Sequence, residues 1–509
     1  MIVKVMSSTI IGIDSYPVEV EIDISPGLPQ FSTVGLPDVV VRESKDRIKA
    51  AIKNSGYRFP PTHVTVNLAP ADIKKEGTGF DLPIAVGILA AEGLVDPDRC
   101  RDYLLIGELS LDGAVKGICG ALSAAFQARE MGVRGIIVPR ENAVEAGMVK
   151  ALHVIPVENL SDVVEFLGGR LSIEPVLVDA EDIFRHNLQY PFDFSEIHGQ
   201  EQAKRALEVA AGGGHNVIMI GPPGSGKTML AQRLSSILPD LSFEEAIETT
   251  KVFSVAGLLN KKGGLIAARP FRAPHHTISD AGLIGGGHIP RPGEISLAHH
   301  GVLFLDELPE FRRNVLEALR QPLEDGRVTI TRAAMTATYP SRFMLVAAMN
   351  PCPCGHFGDS HKACRCSPQQ IRQYQARISG PLMDRIDIHI EVPAVRYRDL
   401  RGKHSGESSA AIKGRIDTAR RRQKDRFQTQ ETFCNARMSD KQIRQHCIID
   451  EDSQRLLEMA IDKLGMSARA YSRILKVART IADLEEEEHI RASHVAEAIQ
   501  YRNLDRRMI

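Results

Sequence analysis

The stretch of sequence at residues 221–228 decides the fold of the central part of this chain. It follows a short apolar run, Val217 to Ile220, and precedes a helical pattern that begins at Met229. A glycine-rich turn between a strand and a helix lets backbone N–H groups surround a phosphate, and the helix N-terminus favours negative charge there. The stretch therefore predicts a phosphate-binding loop, whose lysine reaches the β- and γ-phosphates and whose threonine holds Mg²⁺. Its residues are Gly221, Pro222, Pro223, Gly224, Ser225, Gly226, Lys227 and Thr228.

A second motif further along the chain complements this loop. Four apolar residues, Val302 to Leu305, precede two carboxylates, Asp306 and Glu307. Asp306 suits the magnesium shell together with Thr228, and Glu307 suits polarising the attacking water. Alone, each motif also fits a glycine turn or an acidic pair at a strand end. Together, in this order, they predict an enzyme that binds and hydrolyses ATP with Mg²⁺.

Asn350 is a third candidate for the same site. It ends the apolar run Phe343 to Met349, which is predicted to form a strand beside the one that ends at Asp306. Because strand ends at the carboxyl edge of such sheets line ligand sites, Asn350 is predicted to position the attacking water. The alternative is an asparagine that caps the turn at Pro351.

Bulk composition bounds the remaining possibilities. The chain has 509 residues, enough for about two to four domains. Its net charge is −1, so any nucleic-acid surface must be local. The sequence has no apolar run of about 18 residues, which predicts no membrane span. Four of its eight cysteines are scattered and four are clustered, which is unlike a disulfide framework and predicts a cytoplasmic protein.

Periodicity divides the chain into five parts. Residues 1–170 mix strands and helices and predict an α+β domain, and residues 171–195 lack periodicity and predict a linker. In residues 196–395, strands alternate with helices, which predicts an α/β core with a parallel sheet. Residues 396–438 are predicted to form a basic linker, and residues 439–509 a C-terminal helical lid.

Several strings in the chain are shared with one family. Together with the phosphate loop, they resemble AAA+ ATPases of the magnesium-chelatase-like group, of the YifB/ComM type, over nearly the whole chain. The resemblance implies a P-loop AAA+ core in a homo-hexameric motor of helicase type that acts on single-stranded or branched DNA. It also implies a setting in bacterial recombination, best known in natural transformation, with branch migration as the activity. The strings are Val34–Ser44, Asn67–Asp72, Pro290–Glu310, Ala347–Pro351, Gly380–Asp387 and Ser467–Arg473.

The resemblance assigns roles to three more residues. Arg385 matches the arginine that ring ATPases present to the γ-phosphate of the neighbouring subunit. The alternative is a local salt bridge, because acids flank it. Arg469 begins a helix of the lid and is predicted to contact the nucleotide, with Arg473 as the second choice. His198 lies in a turn that related ATPases place against adenine, although a plain turn before a helix fits equally.

The N-terminal domain resembles the protease domain of Lon, which has the ribosomal S5 domain 2-like fold. The stretch that matches the nucleophile string places Gly79 at the serine position, and the stretch that matches the lysine string places Leu122 at the lysine position. Without a Ser–Lys dyad no acyl-enzyme forms, so the domain is predicted to serve binding and assembly, not proteolysis. Thr78 with Lys74 or Lys75 is the remaining alternative for a nucleophile and its activating amine.

Three segments are candidates for contact with DNA. Arg327 to Thr338 alternates on both sides of a short turn and predicts a β-hairpin. In the helicase branch of this superfamily such a hairpin points into the pore, so Arg332 near its tip is predicted to hold a DNA phosphate; a solvated edge hairpin is the alternative. The basic segment 401–426 fits a DNA-facing surface or a solvated helix face equally. The run Phe271 to His276 predicts a second pore insertion, or a loop stabilised by its histidines.

Four cysteines are clustered after Asn350. Two C-x-C pairs can bring four thiolates to one Zn²⁺ in a tetrahedral structural site. His356 and His361 lie between the pairs and could each replace a thiolate as a ligand. A reduced cluster without metal, or a redox disulfide, also fits this spacing. The four cysteines are Cys352, Cys354, Cys364 and Cys366.

The motifs and the family resemblance together favour an ATP-driven DNA motor that works as an AAA+ hexamer. One rival is the motor subunit of a magnesium chelatase, but chelatase motors lack a Lon-like domain. The other rival is an ATP-dependent protein remodeller or protease, which would need the missing Ser–Lys pair or a partner peptidase.

Overall fold

The computed structural model describes residues 2–186, 190–259, 264–287, 290–332, 335–359, 362–394, 406–428, 432–464 and 468–502. The strands, in chain order, are β1 Ile2–Ile11, β2 Asp14–Ser25, β3 Gln30–Val34, β4 His63–Ala69, β5 Tyr103–Leu105, β6 Glu108–Leu109, β7 Val115–Lys116, β8 Gly135–Pro139, β9 His153–Val157, β10 Val217–Ile220, β11 Phe271–Arg272, β12 Gly285–Gly286, β13 Arg291–Pro292, β14 Val302–Leu305, β15 Arg327–Arg332, β16 Met335–Pro340, β17 Met344–Met349 and β18 Ile388–Glu391.

The helices alternate with these strands. They are Val39–Asn54, Asp81–Ala91, Pro97–Arg101, Ala121–Glu130, Ala143–Ala146, Leu160–Leu167, Ala180–His186, Glu201–Gly213, Lys227–Leu234, Phe243–Ala256, Asp280–Ile284, Glu294–Leu297, Arg313–Ala318, Arg320–Asp325, Pro368–Gln375, Gly380–Met383, Ser409–Phe427, Asp440–His446, Glu451–Leu464, Ala468–Leu484 and Ala492–Gln500.

The N-terminal part is built on a seven-stranded mixed sheet in the order β3-β4-β2-β1-β5-β8-β9. Its long hairpin pairs β1 with β2 in antiparallel register, and alternate side chains such as Val3 and Val5 are buried. The helix Asp81–Ala91 packs on this face so closely that a Cβ on Gly87 would lie 2.7 Å from the Cγ1 atom of Ile22. Every residue of this helix except the last is buried, which is why its sequence is almost wholly apolar.

The segment predicted as a linker, 171–195, contains structure of its own. Val176 donates a backbone hydrogen bond to Val154 at 2.9 Å, and the helix Ala180–His186 follows. Val176, Val178 and Phe184 pack against the apolar cluster of the N-terminal part. The segment lacks the periodicity of a long element, but its apolar side chains hold it against the domain it leaves.

The central part contains a five-stranded parallel sheet in the order β11-β14-β17-β10-β18. The strands β10, β14 and β17 are buried along their whole length, as expected for parallel strands covered on both faces. This arrangement confirms the prediction of a mixed α/β chain with a parallel-sheet core.

Each face of the central sheet packs against a different layer. Val217 and Met219 of β10 share a cluster with the helices Glu201–Gly213 and Lys227–Leu234 and with helices from the C-terminal part. Ile218 and Ile220, which point the other way, share a cluster with the β15–β16 hairpin. Alternate side chains of β10 therefore point to opposite faces of the sheet and pack into two separate apolar clusters.

The C-terminal helices pack on the first of these layers. The helix Ser409–Phe427 falls in the segment predicted as a basic linker, and it packs against Glu201–Gly213 and Ala468–Leu484. Arg426 of this helix donates to Asp483 at 2.9 Å. In the described part of the chain, no helix combines the length and the apolar character that a membrane span requires.

The N-terminal part contacts the central part through the helix Phe243–Ala256. Ala246 and Ile247 of this helix belong to the same apolar cluster as Leu122 of the N-terminal part. A second contact lies at the turn between β1 and β2, where a Cβ on Gly12 would approach the carbonyl oxygen of Thr338 to 2.6 Å. The strand β16 of the hairpin therefore rests on the N-terminal part midway along its length.

Candidate functional site

Three neighbouring parallel strands end at one edge of the central sheet. Ile220 of β10 lies beside Met349 of β17, and Leu305 of β14 lies beside Ala347 of the same strand. The residues that follow these ends are the phosphate loop, Asn350 and Asp306. The predicted adjacency of the Asn350 and Asp306 strands is therefore confirmed, and the candidate side chains meet at the carboxyl edge.

The phosphate loop has a shape that depends on glycine. A Cβ on Gly221 would lie 2.1 Å from the carbonyl oxygen of Val392, and Gly226 has a φ of +87° where the helix Lys227–Leu234 begins. The loop is also held from outside, because the Gln200 side chain donates to the carbonyl of Ser225 at 2.6 Å. This geometry suits the binding of phosphate at a helix N-terminus.

Lys227 lies at the centre of the site with 8% of its surface exposed. Its ammonium donates to the carbonyls of Gly221 at 2.7 Å and Pro222 at 3.0 Å, and to Oδ1 of Asn350 at 3.3 Å. Burial lowers the pKa of the Lys227 ammonium, although nearby Asp306 opposes that shift. The lysine is thus positioned between the loop and the strand-end asparagine, where a bound phosphate would meet both.

Thr228 and Asp306 are in direct contact. The Thr228 hydroxyl donates to Oδ2 of Asp306 at 2.7 Å. Adjacent oxygens around an octahedral Mg²⁺ lie about 3 Å apart, since each metal–oxygen distance is about 2.1 Å. The two oxygens therefore fit neighbouring positions in the shell of one Mg²⁺.

Glu307 projects from a backbone in the left-handed region, with a φ of +53°. Its side chain is 55% exposed, and its Oε2 atom lies 3.3 Å from Nδ1 of His276. His276 in turn packs against His275, with ring centroids 4.1 Å apart and the ring planes tilted by 34°. The sequence did not assign His276 to this site, and nothing in its immediate sequence indicates a contact with a residue at the end of another strand.

The prediction of a second pore insertion at 271–276 is wrong for its first two residues. Phe271 and Arg272 form β11, the edge strand of the central sheet. Arg272 donates to Glu294 at 2.6 and 2.7 Å. The segment therefore leads from the sheet to His276 at the candidate site.

His198 lies half-buried in the turn before the helix Glu201–Gly213. Within this turn, Gln200 contacts the phosphate loop. The side-chain amide of Gln200 also donates to the carbonyl of Pro393 at 3.4 Å. The turn is therefore joined to the phosphate loop through Gln200, whereas a contact between His198 and adenine stays a prediction.

Arg385 is almost fully buried, with 7% of its surface exposed. It donates to the carbonyl of Pro381 at 2.6 Å, and its other terminal nitrogen pairs with Glu324. Within one subunit the arginine thus forms a salt bridge, with Glu324 and not with the acids that flank it in sequence. Its action on a neighbouring subunit stays a prediction.

The two candidate arginines of the helix Ala468–Leu484, Arg469 and Arg473, differ in their surroundings. Arg469 is exposed at the start of Ala468–Leu484, whereas Arg473 pairs with the buried carboxylate of Asp387. Burial alone would raise the pKa of Asp387, but Arg473 and His215 outweigh burial and hold that pKa well below its ordinary value. Arg473 therefore anchors this helix to the central part, and Arg469 remains the one of the two that is available to a ligand.

The predicted hairpin is present. β15 and β16 pair in antiparallel register from Arg327 opposite Pro340 to Arg332 opposite Met335, and the tip residues 333 and 334 lie outside the described residues. One face packs on the core through Val328, and Arg332 is exposed beside the tip. The contact of Arg332 with DNA stays a prediction.

Residues 401–405 of the basic segment lie outside the described residues, and its described part, 406–426, is not a free charged surface throughout. Arg420 donates to the carbonyl of Ala211 at 3.2 Å, and Arg422 donates to the carbonyl of Glu487 at 3.1 Å. These two arginines join the helix Ser409–Phe427 to Ala211 and Glu487. They therefore neither face DNA nor point freely into solvent.

The positions predicted to match the Lon dyad, Gly79 and Leu122, hold neither a hydroxyl nor an amine. Leu122 is buried, and its backbone N–H donates to Glu145 at 2.9 Å. The alternative pair is also engaged elsewhere: the Thr78 hydroxyl donates to Glu108, and the Lys75 ammonium donates to the carbonyl of Pro70. The absence of protease activity stays a prediction.

The four clustered cysteines lie together, with all four sulphur atoms within 4.8 Å of one another. Of the two histidines considered as ligands, His356 is instead bonded through Nδ1 to Asp359 at 3.0 Å. His361 lies outside the described residues.

Family comparisons cover most of the chain in three parts. The model described as magnesium chelatase, subunit ChlI, matches residues 193–400, which correspond closely to the α/β core. The model for subunit ChlI of Mg-chelatase matches residues 20–142, and the model for the C-terminal part of that subunit matches residues 406–502. The match over the α/β core, in a magnesium-chelatase-like AAA+ family, implies the use of ATP and Mg²⁺.

Similar proteins extend over nearly the full length. The uncharacterized protein YifB of Salmonella typhimurium is 46% identical over 503 residues, 98% of this chain and 96% of that protein. Competence protein ComM of Haemophilus influenzae is 45% identical over 508 residues, 99% of this chain and 97% of that protein. Lon protease 2 of Bacillus subtilis is 32% identical over 157 residues, 28% of this chain and 27% of that protein. The chain therefore belongs to the YifB/ComM family of magnesium-chelatase-like AAA+ ATPases.

Proposed function

We propose that this protein is an ATP-driven DNA motor of helicase type that works as a homo-hexamer in the cytoplasm, in bacterial recombination or natural transformation. The observation that carries the proposal is the meeting of Lys227, Thr228, Asp306 and Asn350 at one sheet edge. The similarity to a protein named for competence supports the setting, because transformation requires the handling of incoming DNA.

ATP hydrolysis follows from the arrangement of these side chains. Lys227 binds the β- and γ-phosphates, while Thr228 and Asp306, 2.7 Å apart, would hold Mg²⁺, which would offset the charge of the phosphates. Glu307 accepts a proton from the attacking water, and Asn350 orients that water. His276, 3.3 Å from Glu307, fixes the direction of the carboxylate when the imidazole donates to it.

The hexamer completes the site in this proposal. Arg385 exchanges Glu324 for the γ-phosphate of the adjacent subunit, and Arg469 approaches the nucleotide from the C-terminal helices. Since Glu324 is 56% exposed, its carboxylate can be solvated when Arg385 leaves it, which lowers the cost of the exchange.

DNA passes the β15–β16 hairpin in the ring's centre. The hairpin has its apolar face against the core and its other face exposed, with Arg332 beside the tip. An arginine in this position binds a phosphate without reading base sequence, as a translocating motor requires. The N-terminal part contacts the middle of β16 through the Gly12–Thr338 contact.

A magnesium-chelatase motor is the second candidate, favoured by the family models. The rates of ATP hydrolysis with and without forked or four-way DNA discriminate the two. A DNA motor is expected to hydrolyse ATP several-fold faster with DNA and to migrate a branched junction, whereas a rate that DNA leaves unchanged at every protein concentration would contradict the proposal. Protein substrates in place of DNA test the third candidate, a protein remodeller.

A further inference from the structure

The four clustered cysteines have the spacing of ligands around one metal ion. The sulphur of Cys352 lies 3.4 Å from that of Cys354 and 3.7 Å from that of Cys364, and the last two are 3.6 Å apart. Four sulphurs at about 2.3 Å from a tetrahedral Zn²⁺ are about 3.8 Å from one another. A disulfide would bring two sulphurs to about 2.05 Å, so the distances fit a shared ion and not an oxidised pair.

The backbone around the cluster is arranged to stabilise thiolates. The N–H of Cys366 donates to the sulphur of Cys364 at 3.4 Å, and the N–H groups of His356 and Arg365 donate to the sulphur of Cys354. Hydrogen bonds from N–H groups to ligand atoms orient the ligands and spread their charge. The exposed cations Lys362 and Arg365 lie within the same loop and offset the net negative charge of four thiolates around a divalent ion.

The cluster is joined to the phosphate loop. Cys352 is buried and lies two residues after Asn350, whose side chain contacts Lys227. The segment from Asn350 to Cys352 is therefore held at both ends. Gly355, with a φ of +82°, packs so tightly that a Cβ on it would lie 2.5 Å from Cδ of Pro223. The cysteine loop therefore supports one side of the phosphate loop and the residue that contacts Lys227.

We propose that Cys352, Cys354, Cys364 and Cys366 bind one structural Zn²⁺, and that the metal-bound loop holds the phosphate loop and Asn350 in place. The first half stands on the sulphur geometry alone, and the second half rests on the proposed nucleotide site. A softer metal is favoured over Mg²⁺ because all four ligands are thiolates.

The test is the metal content of the full chain, purified without added zinc and measured by mass spectrometry. About one Zn²⁺ per chain is expected, and Cys352→Ser with Cys364→Ser should lose it. Cys119→Ser, which changes an exposed cysteine outside the cluster, should retain the ion. Full zinc in the double variant, iron in place of zinc, or four titratable thiols and no metal in the native protein would each overturn the site.

A second measurement covers the case in which the double variant does not fold. Zinc is exchanged for Co²⁺ in the native chain, and a four-thiolate site should give intense sulphur-to-cobalt charge-transfer bands, which a site of fewer thiolates would weaken. Release of zinc by a mercurial reagent should then weaken binding of a fluorescent ATP analogue by at least several-fold. Unchanged affinity after complete release would overturn the support of the phosphate loop, and absence of the thiolate bands would overturn the site.

Discussion

Replacing Lys227 with alanine should abolish nucleotide binding. The surroundings of the ammonium allow an estimate of the binding free energy that is lost. The ammonium donates to three oxygens in the structure and is largely hidden from water, and its removal leaves a bound phosphate without this cation. Each hydrogen bond between an ammonium and a phosphate contributes about 1.5–3 kcal/mol. Losing two such bonds costs about 3–6 kcal/mol, which weakens ATP binding by about 10²- to 10⁴-fold.

Replacing Glu307 with glutamine should have the opposite signature. The side chain is 55% exposed, and it contacts His276 and not the phosphate loop. The amide keeps the shape of the carboxylate, so ATP affinity should stay within a few-fold of the native value. Removing the general base should slow hydrolysis by about 10²- to 10⁴-fold.

The assay separates these effects by titrating a fluorescent ATP analogue and by measuring phosphate release at saturating ATP. His276→Ala measures the contribution of the contact with Glu307, which for a partly exposed pair is at most about 1 kcal/mol, or about fivefold in rate. Turnover by Glu307→Gln equal to that of the native protein would refute the role of Glu307. Tight nucleotide binding by Lys227→Ala would refute the assignment of the phosphate loop.

Three further predictions concern the subunit interface, the hairpin and the N-terminal part. A mixture of Arg385→Ala subunits and Lys227→Ala subunits should regain some ATPase activity, because a mixed interface can pair an intact site with an intact arginine. If the activity of the mixture never exceeds that of either variant alone, Arg385 serves only its own subunit. Arg332→Ala should reduce DNA-stimulated hydrolysis and flatten the salt dependence of binding by about one log–log unit per lost contact, whereas Arg421→Ala on the exposed side of the basic helix should change neither. Casein should persist with the protein and ATP, and degradation that survives Thr78→Ala would show that a nucleophile exists elsewhere.

The candidate site was predictable to the extent that it follows from strand order. Apolar runs that end in a glycine loop, an acidic pair or an asparagine indicate strand ends at a ligand edge, and the structure places Asp306 and Asn350 there. The contact of His276 with Glu307 was not predictable in the same way. It depends on the path of a loop after the edge strand, and such paths leave little trace in periodicity.

The basic segment shows a second limit of sequence patterns. Its charges predict a polar helix but not the partners of those charges. Arg426 pairs with Asp483, and Arg420 pairs with a backbone carbonyl of a helix far earlier in the chain, because tertiary packing brings these groups together. A charge pattern indicates which residues need partners or solvent, and only the fold decides between the two.

The position predicted to match the Lon lysine lies in a contact between the N-terminal and central parts. Leu122, at the position that resembles the Lon lysine, is buried in a cluster that includes Ala246 and Ile247 of the central part. An ammonium at that position would have to leave water for an apolar interface, at a cost of several kcal/mol unless a carboxylate met it. Glu145 is buried nearby, but it already accepts from the backbone of Leu122 and from the Ser254 hydroxyl. The apolar side chain therefore favours docking on the helix Phe243–Ala256 over chemistry, and this docking places the β1–β2 turn under the hairpin that is proposed to hold DNA.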